Sequence, residues 1–137
     1  MPIKKLSGRQ EVIAATADFV LADLANGVYN FAVDVPAGAM VVGGGLAITV
    51  PFNSATTDVY SIGDKEGAAA ASVATYAAVS ADINVASSIP IVVTGKKYLV
   101  PSTIGLVWTG TGGGATVGTG RLTVLYVIDG RAAFSQG

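Results

Sequence analysis

Val28-Tyr29-Asn30-Phe31-Ala32-Val33-Asp34-Val35 puts Tyr29, Phe31, Val33 and Val35 at every second position, with Asn30 and Asp34 between them. Successive side chains of a strand point to opposite faces, so a period of two predicts a half-buried strand with those four residues on one face. Pro36-Ala37-Gly38 follows directly. Proline cannot donate to a ladder and glycine tolerates a positive φ, so the strand is expected to stop there in a turn.

Upstream, Glu11 to Leu24 is compatible with helix or strand. The β-branched residues Val12, Ile13, Thr16 and Val20 favour a strand, and Asn26-Gly27 supplies a hairpin-type turn. Downstream, Met40 to Val50 reads as a strand whose Gly43-Gly44-Gly45 is a natural place for a bulge or bend. Pro51-Phe52-Asn53-Ser54 turns the chain, Thr56 to Ile62 offers another strand, and Gly63-Asp64-Lys65-Glu66-Gly67 reads as a polar loop. Ala68 to Ala81 stays open between a short alanine-rich helix and an irregular stretch carrying a strand.

Further strand candidates are Ser88 to Val93, Lys97 to Val100 and Ile104 to Thr109, and Pro90 marks the first of these as an edge. Gly110 to Gly120 holds six glycines, the composition of a flexible hairpin loop. Arg121 to Asp129 is mostly apolar on both faces, with Leu122, Val124, Tyr126 and Ile128 on one and Thr123, Leu125 and Val127 on the other. Such a strand is expected to be covered on both sides, within a sandwich or at a subunit contact. About eight short strands with little helix predict an all-β fold, a β-sandwich of jelly-roll type. Residues 1–9 read as a basic N-terminal arm and 10–137 as a single β-sandwich domain.

Composition bounds the function. Of 137 residues 51% are hydrophobic and only 12% charged, about half the ~25% charged share of soluble domains. A surface so short of charge is expected to be covered in part by partners, through oligomerisation or docking on a larger body. The net charge of −1 provides no field for a phosphate backbone, so nucleic acid is not an expected partner. The absence of cysteine suits synthesis in a reducing cytoplasm. Met1-Pro2-Ile3-Lys4-Lys5 does not open a signal peptide, and the apolar run Ala39 to Val50 is broken by glycines and too short to cross a bilayer, so no membrane partner is expected.

With no histidine and no cysteine, serine-histidine triads, thiol nucleophiles and almost every zinc site are removed together. Asp58, Asp64 and Glu66 are carboxylates that lie close in sequence. They read as solvated loop charges, without the alternating acidic pattern of a calcium loop, so no catalytic residue, cofactor or metal site is expected. The glycine run 110–120 matches neither a P-loop nor a dinucleotide fingerprint. Trp108 and the tyrosines Tyr29, Tyr60, Tyr76, Tyr98 and Tyr126 read chiefly as core or interface packing, with a carbohydrate or peptide site as the rival.

Ala32 to Val42 with its Pro36-Ala37-Gly38-Ala39, then Ala47 to Ser54, then Tyr60-Ser61-Ile62-Gly63-Asp64, resembles the pattern of small tailed-bacteriophage structural proteins. In those an apolar strand, Pro-Ala-Gly-Ala, a second apolar strand, an aromatic turn and Val/Ile-Gly-Asp follow in that order. The resemblance covers about residues 30 to 64, with the glycine-rich loop and closing strand near 110 to 129. It implies a non-enzymatic virion component of the capsid decoration, or cement, type. Such a protein is made in the host cytoplasm and sits on the capsid surface against the major capsid protein as a homo-oligomer, with a trimer favoured. Ile3, Lys4, Lys5 and Arg9 of the arm are then the expected partner-binding residues. The rivals are a head-fibre, tail or adaptor protein of similar composition, and a carbohydrate-binding module using Trp108 and tyrosines.

Overall fold

The structure is a computed structural model that describes residues 11–78 and 87–128. Among these residues eight strands form: β1 (Ile13–Val20), β2 (Asn30–Val35), β3 (Ala39–Val50), β4 (Thr57–Glu66), β5 (Ser72–Ala78), β6 (Ser87–Pro90), β7 (Ser102–Thr111) and β8 (Thr119–Ile128). They make two four-stranded sheets, ordered β1-β8-β3-β6 and β2-β7-β4-β5, and every pairing is antiparallel. β1 pairs with β8, β2 with β7, β3 with β6 and β4 with β5, so the chain is doubled on itself and then rolled. That nesting is the jelly roll expected from strand number and spacing. The only helical element among the described residues is a 3₁₀ turn at Leu21–Asp23, and no helix among them is long and apolar enough to cross a membrane.

The core lies between the sheets, where Leu46, Ile48, Leu122 and Val124 of one meet Tyr60, Ile62, Ile104 and Leu106 of the other. Phe52 closes it at one end, with its ring 5.1 Å from Trp108 and 5.5 Å from Tyr60, the latter edge-on. Rings set edge to face add to the burial of their area. The aromatic residues were expected as packing, and Tyr60, Tyr76, Tyr98, Trp108 and Tyr126 are all buried.

Several local expectations need correction. On β2, Val33 and Val35 face the core, but Phe31 is 72% exposed. The pairing of β2 with β7 slips between Phe31 and Val33, and an extra residue in one strand reverses the face of everything before it. Asn26-Gly27 does turn the chain, with Gly27 at φ +73. It joins β1 and β2 of different sheets, however, and so is a crossover and not a hairpin. The glycine-rich segment 112–118 likewise carries the chain from β7 in one sheet to β8 in the other.

The polar stretch read as a loop is strand: β4 runs through Asp64 to Glu66, held by a continuous ladder to β7. The stretch left open at Ala68 to Ala81 contributes the edge strand β5. Lys97 to Val100 makes no strand, because its contact with β3 ends after one bridge, Met40 to Lys97. β8 runs between β1 and β3, so Leu122, Val124 and Tyr126 are buried against the other sheet while Thr123, Leu125 and Val127 remain half-buried on the outer face. The glycine triplet bends β3 as expected, with Gly44 at φ +121 beside a register shift at Val41/Gly43.

Candidate functional site

The registers sort the connections between the two ends of the sandwich. At one end, the β1–β2, β3–β4 and β7–β8 segments are tied to each other. Asn26 Nδ2 donates to the Gly110 carbonyl (2.8 Å), and Asn53 Oδ1 accepts from the amides of Thr116 (2.7 Å) and Val117 (3.2 Å) while its Nδ2 donates to Thr116 Oγ1 (2.9 Å). The Ala55 amide donates to the Gly113 carbonyl and the Leu21 amide to that of Gly118. The glycine-rich segment is therefore bound into the end of the sandwich and is not the free loop its composition suggests. Asn53→Ala removes three bonds at an exposed site and should cost about 1–2 kcal/mol. A urea titration checks the size, and faster amide exchange at Thr116 and Val117 checks the place.

Asp58 and Asp64, expected as solvated charges, are 2% and 1% exposed. Asp58 accepts from the Ser54 amide (2.9 Å), Ser54 Oγ (2.6 Å) and Trp108 Nε1 (2.8 Å), a local cap that also satisfies the buried indole. Asp64 lies at the opposite end and gathers four segments. Its carboxylate accepts from Thr75 Oγ1 (2.5 Å), Lys96 Nζ (2.6 Å) and Tyr98 OH (2.7 Å), and Tyr98 shares a further hydrogen bond with Tyr76 (2.5 Å). The backbone of Tyr98 exchanges bonds with Gly38 and Ala39, so the β6–β7 connection is pinned to the β2–β3 turn as well as to β4 and β5.

Burial alone would raise the Asp64 carboxyl. Hydrogen bonds from Lys96, Thr75 and Tyr98, with the Lys96 charge, more than offset that and hold it below the ordinary carboxylate value. Burial pushes the Tyr76 hydroxyl up to about 12, and burial with its bonds to Tyr76 and Asp64 drives Tyr98 well above the ordinary tyrosine range.

These acids do not converge on a substrate. Six residues of strand put Asp58 and Asp64 about 20 Å apart, whereas carboxylate pairs that cleave glycosides stand within about 10 Å. Glu66 is nearer, but Lys96 Nζ lies between the two, 2.6 Å from Asp64 and 3.9 Å from Glu66, and fills the place a cation would take. Trp108, the candidate glycan platform, is inside the core.

Several large apolar side chains among the described residues face outward. Phe31, turned out by the β2 bulge, stands with half-buried Tyr29, Pro101, Asp34 and Lys65 around an open groove of about 550 Å³, and Leu99 is 76% exposed. Val20, Val50 and Val117 form a second exposed cluster near the glycine-rich segment. Alternation pointed Phe31 inward, and only a bulge, which has no sequence signature here, reverses it. The arm residues Ile3, Lys4, Lys5 and Arg9 lie outside the described residues.

No protein-family model and no curated protein sequence matches the chain. Solved structures do. The chain is similar to one in the capsid of Ralstonia phage GP4, with a TM-score of 0.65, 15% identity and 96% of this chain and 92% of that one covered. A chain of the cyanophage Pam1 capsid asymmetric unit matches with a TM-score of 0.63, 16% identity and coverage of 93% and 91%. One in the acidic stable capsid structure of Helicobacter pylori bacteriophage KHP30 matches with 0.59, 17% identity and coverage of 88% and 94%. Near-equal coverage in both directions means that each matched chain is about as long as this one. At such identities the likeness is one of fold, the same sandwich over almost the whole of both chains.

Proposed function

We propose that this chain is a non-enzymatic structural protein of a tailed-phage virion, and within that class a capsid decoration, or cement, protein. It binds the major capsid protein on the outer surface of the shell as a homo-oligomer, a trimer being the favoured form, after synthesis in the host cytoplasm. The observation that carries this reading is the match, over about nine-tenths of both chains, to chains of similar length in three separate phage capsids. Fold alone does not assign function, and the surface supplies the second support. It is poor in charge and carries exposed Phe31 and Leu99, while the buried carboxylates Asp58 and Asp64 are engaged in holding the sandwich together.

In this account residues 10–137 form the sandwich, and Ile3, Lys4, Lys5 and Arg9 of the basic arm reach onto the shell. A ligand that binds only the intact state stabilises it by mass action. Contacts made across neighbouring capsomers would therefore raise the free energy needed to rupture a shell under the pressure of packaged DNA. Purified protein added to particles that lack it is expected to bind in many copies and to raise the temperature at which a DNA-binding dye gains access. Binding at a few sites, with no shift in that temperature, would instead favour the head-fibre, tail or adaptor reading. With Trp108 buried, a carbohydrate-binding module has no exposed tryptophan to work with.

A further inference from the structure

Asn26-Gly27 is a reactive pair as well as a turn. Asparagine is among the thermolabile residues, and of Asn26, Asn30, Asn53 and Asn84 only Asn26 precedes a glycine. With no side chain to shield it, a glycine nitrogen can reach the carboxamide carbon of the residue before it. Attack by Gly27 N on Asn26 Cγ forms a C–N bond and breaks the bond from Cγ to Nδ2. Nδ2 leaves as ammonia, carrying its own two hydrogens and the proton from Gly27 N. One water molecule then opens the five-membered imide. Cleavage at Cγ gives aspartate, and cleavage at the main-chain carbonyl gives isoaspartate. Water is the only co-reactant, and Asn26 is exposed to it.

The fold holds each of the reacting groups. The Val28 amide donates to the Ala25 carbonyl (3.1 Å), closing a turn in which Gly27 has φ +73 and Asn26 a negative φ, the geometry of a type II turn. The Gly27 amide donates to the Trp108 carbonyl (2.8 Å), so the attacking nitrogen keeps its proton and is turned toward β7. The carboxamide is bound at both of its polar atoms by one residue. Nδ2 donates to the Gly110 carbonyl (2.8 Å), and Oδ1 accepts from the Gly110 amide (3.2 Å). Ring closure has to break all three bonds and swing Gly27 N round to Cγ, out of the turn. We propose that Asn26 is a deamidation site gated by the β1–β2 crossover, inert while the crossover is clamped to the end of β7 and reactive when that end opens. The reaction runs one way. In the product an oxygen replaces Nδ2 opposite the Gly110 carbonyl, which sets a negative charge against an acceptor with no donor between them. Isoaspartate in addition lengthens the main chain inside the turn. Each event therefore adds a negative charge and leaves the clamp unable to re-form, at the end of the sandwich where three connections are tied together.

The test follows Asn26 by peptide mass spectrometry of the full chain, held in mildly alkaline buffer either native or unfolded in urea. In urea Asn26 should convert to a mixture of aspartate and isoaspartate. In the native chain the conversion should be at least about tenfold slower, because local opening must first break the three hydrogen bonds. Asn30, which precedes Phe31, is read in the same samples and should convert far more slowly than Asn26 in urea. Asn26→Asp, made directly, should melt below wild type and show faster amide exchange at Gly27 and Gly110. Equal rates for Asn26 in the native and unfolded chain would overturn the gate, and no conversion in either would overturn the site. An Asn26→Asp chain that matches wild type in both melting and exchange would overturn the one-way step. The comparison of native with unfolded chain uses wild type alone, so it decides the gate even if Asn26→Asp fails to fold.

Discussion

Asp64→Ala should lower the melting temperature by roughly 10 °C, the equivalent of about 3 kcal/mol in a chain of this size. The carboxylate is 1% exposed and is the common acceptor for Thr75, Lys96 and Tyr98, so its removal leaves a buried phenol and hydroxyl without their partner. Lys96 is 34% exposed and can turn to water, which keeps the cost at the low end of the range for a broken buried pair. The same site sets a pH dependence. The Asp64 carboxyl is held below its ordinary value in the folded chain, so as pH falls through about 4 the unfolded chain takes up this proton first and the folded state loses ground. The stability gap between wild type and Asp64→Asn should therefore be full at neutral pH and shrink below about pH 4. On the alkaline side, Tyr76 and Tyr98 resist ionisation when folded. Unfolded tyrosines release protons near pH 10, so stability should fall above that point, and less steeply in Tyr98→Phe. Thermal melts across pH check both limbs. A wild type that tracks Asp64→Asn at every pH would show that the cluster does not hold the β6–β7 connection.

Gly44→Ala should cost more than about 4 kcal/mol, enough to abolish folding at moderate temperature. Gly44 sits at φ +121, a conformation that side chains strain to adopt, and a methyl group there would lie 2.1 Å from the Thr123 carbonyl oxygen of the neighbouring strand. Backbone in the middle of a ladder cannot move aside without breaking the β3–β8 register. Gly43→Ala is the control one residue away. It has no positive φ, its methyl would meet only Leu125 Cδ1 at 3.5 Å, and it should change stability by less than about 1 kcal/mol. Urea midpoints of the two variants test the pair. Equal losses would contradict the bend assigned to Gly44.

Patterns local in sequence were legible, and those made by distant partners were not. The alternation ending at Val33 and Val35, the stop at Pro36-Ala37-Gly38, the bend in the glycine triplet and the edge position of the strand carrying Pro90 all follow from neighbouring residues, and together they indicate the sandwich. Alternation places Phe31 inside, because a one-residue slip in pairing leaves the sequence pattern intact while reversing the face. Asp58 and Asp64 read as solvated in the sequence because lone carboxylates usually are. Asp64 is made tolerable inside by Lys96 and Tyr98, more than thirty residues away. Asn26-Gly27 and the glycine-rich segment have the composition of hairpins, but whether a turn joins neighbouring strands or crosses between sheets is decided by the rolling of the whole chain. The exposed Phe31 groove was hidden with the bulge.

The most direct test of the central claim is the number of copies of this chain per virion, measured by quantitative mass spectrometry of purified particles against their major capsid protein. A capsid decoration protein is predicted to be present in numbers comparable to those of the capsid protein. A few copies per particle would contradict decoration of the shell and move the chain to the neck or tail, and its absence from purified virions would contradict the virion reading altogether.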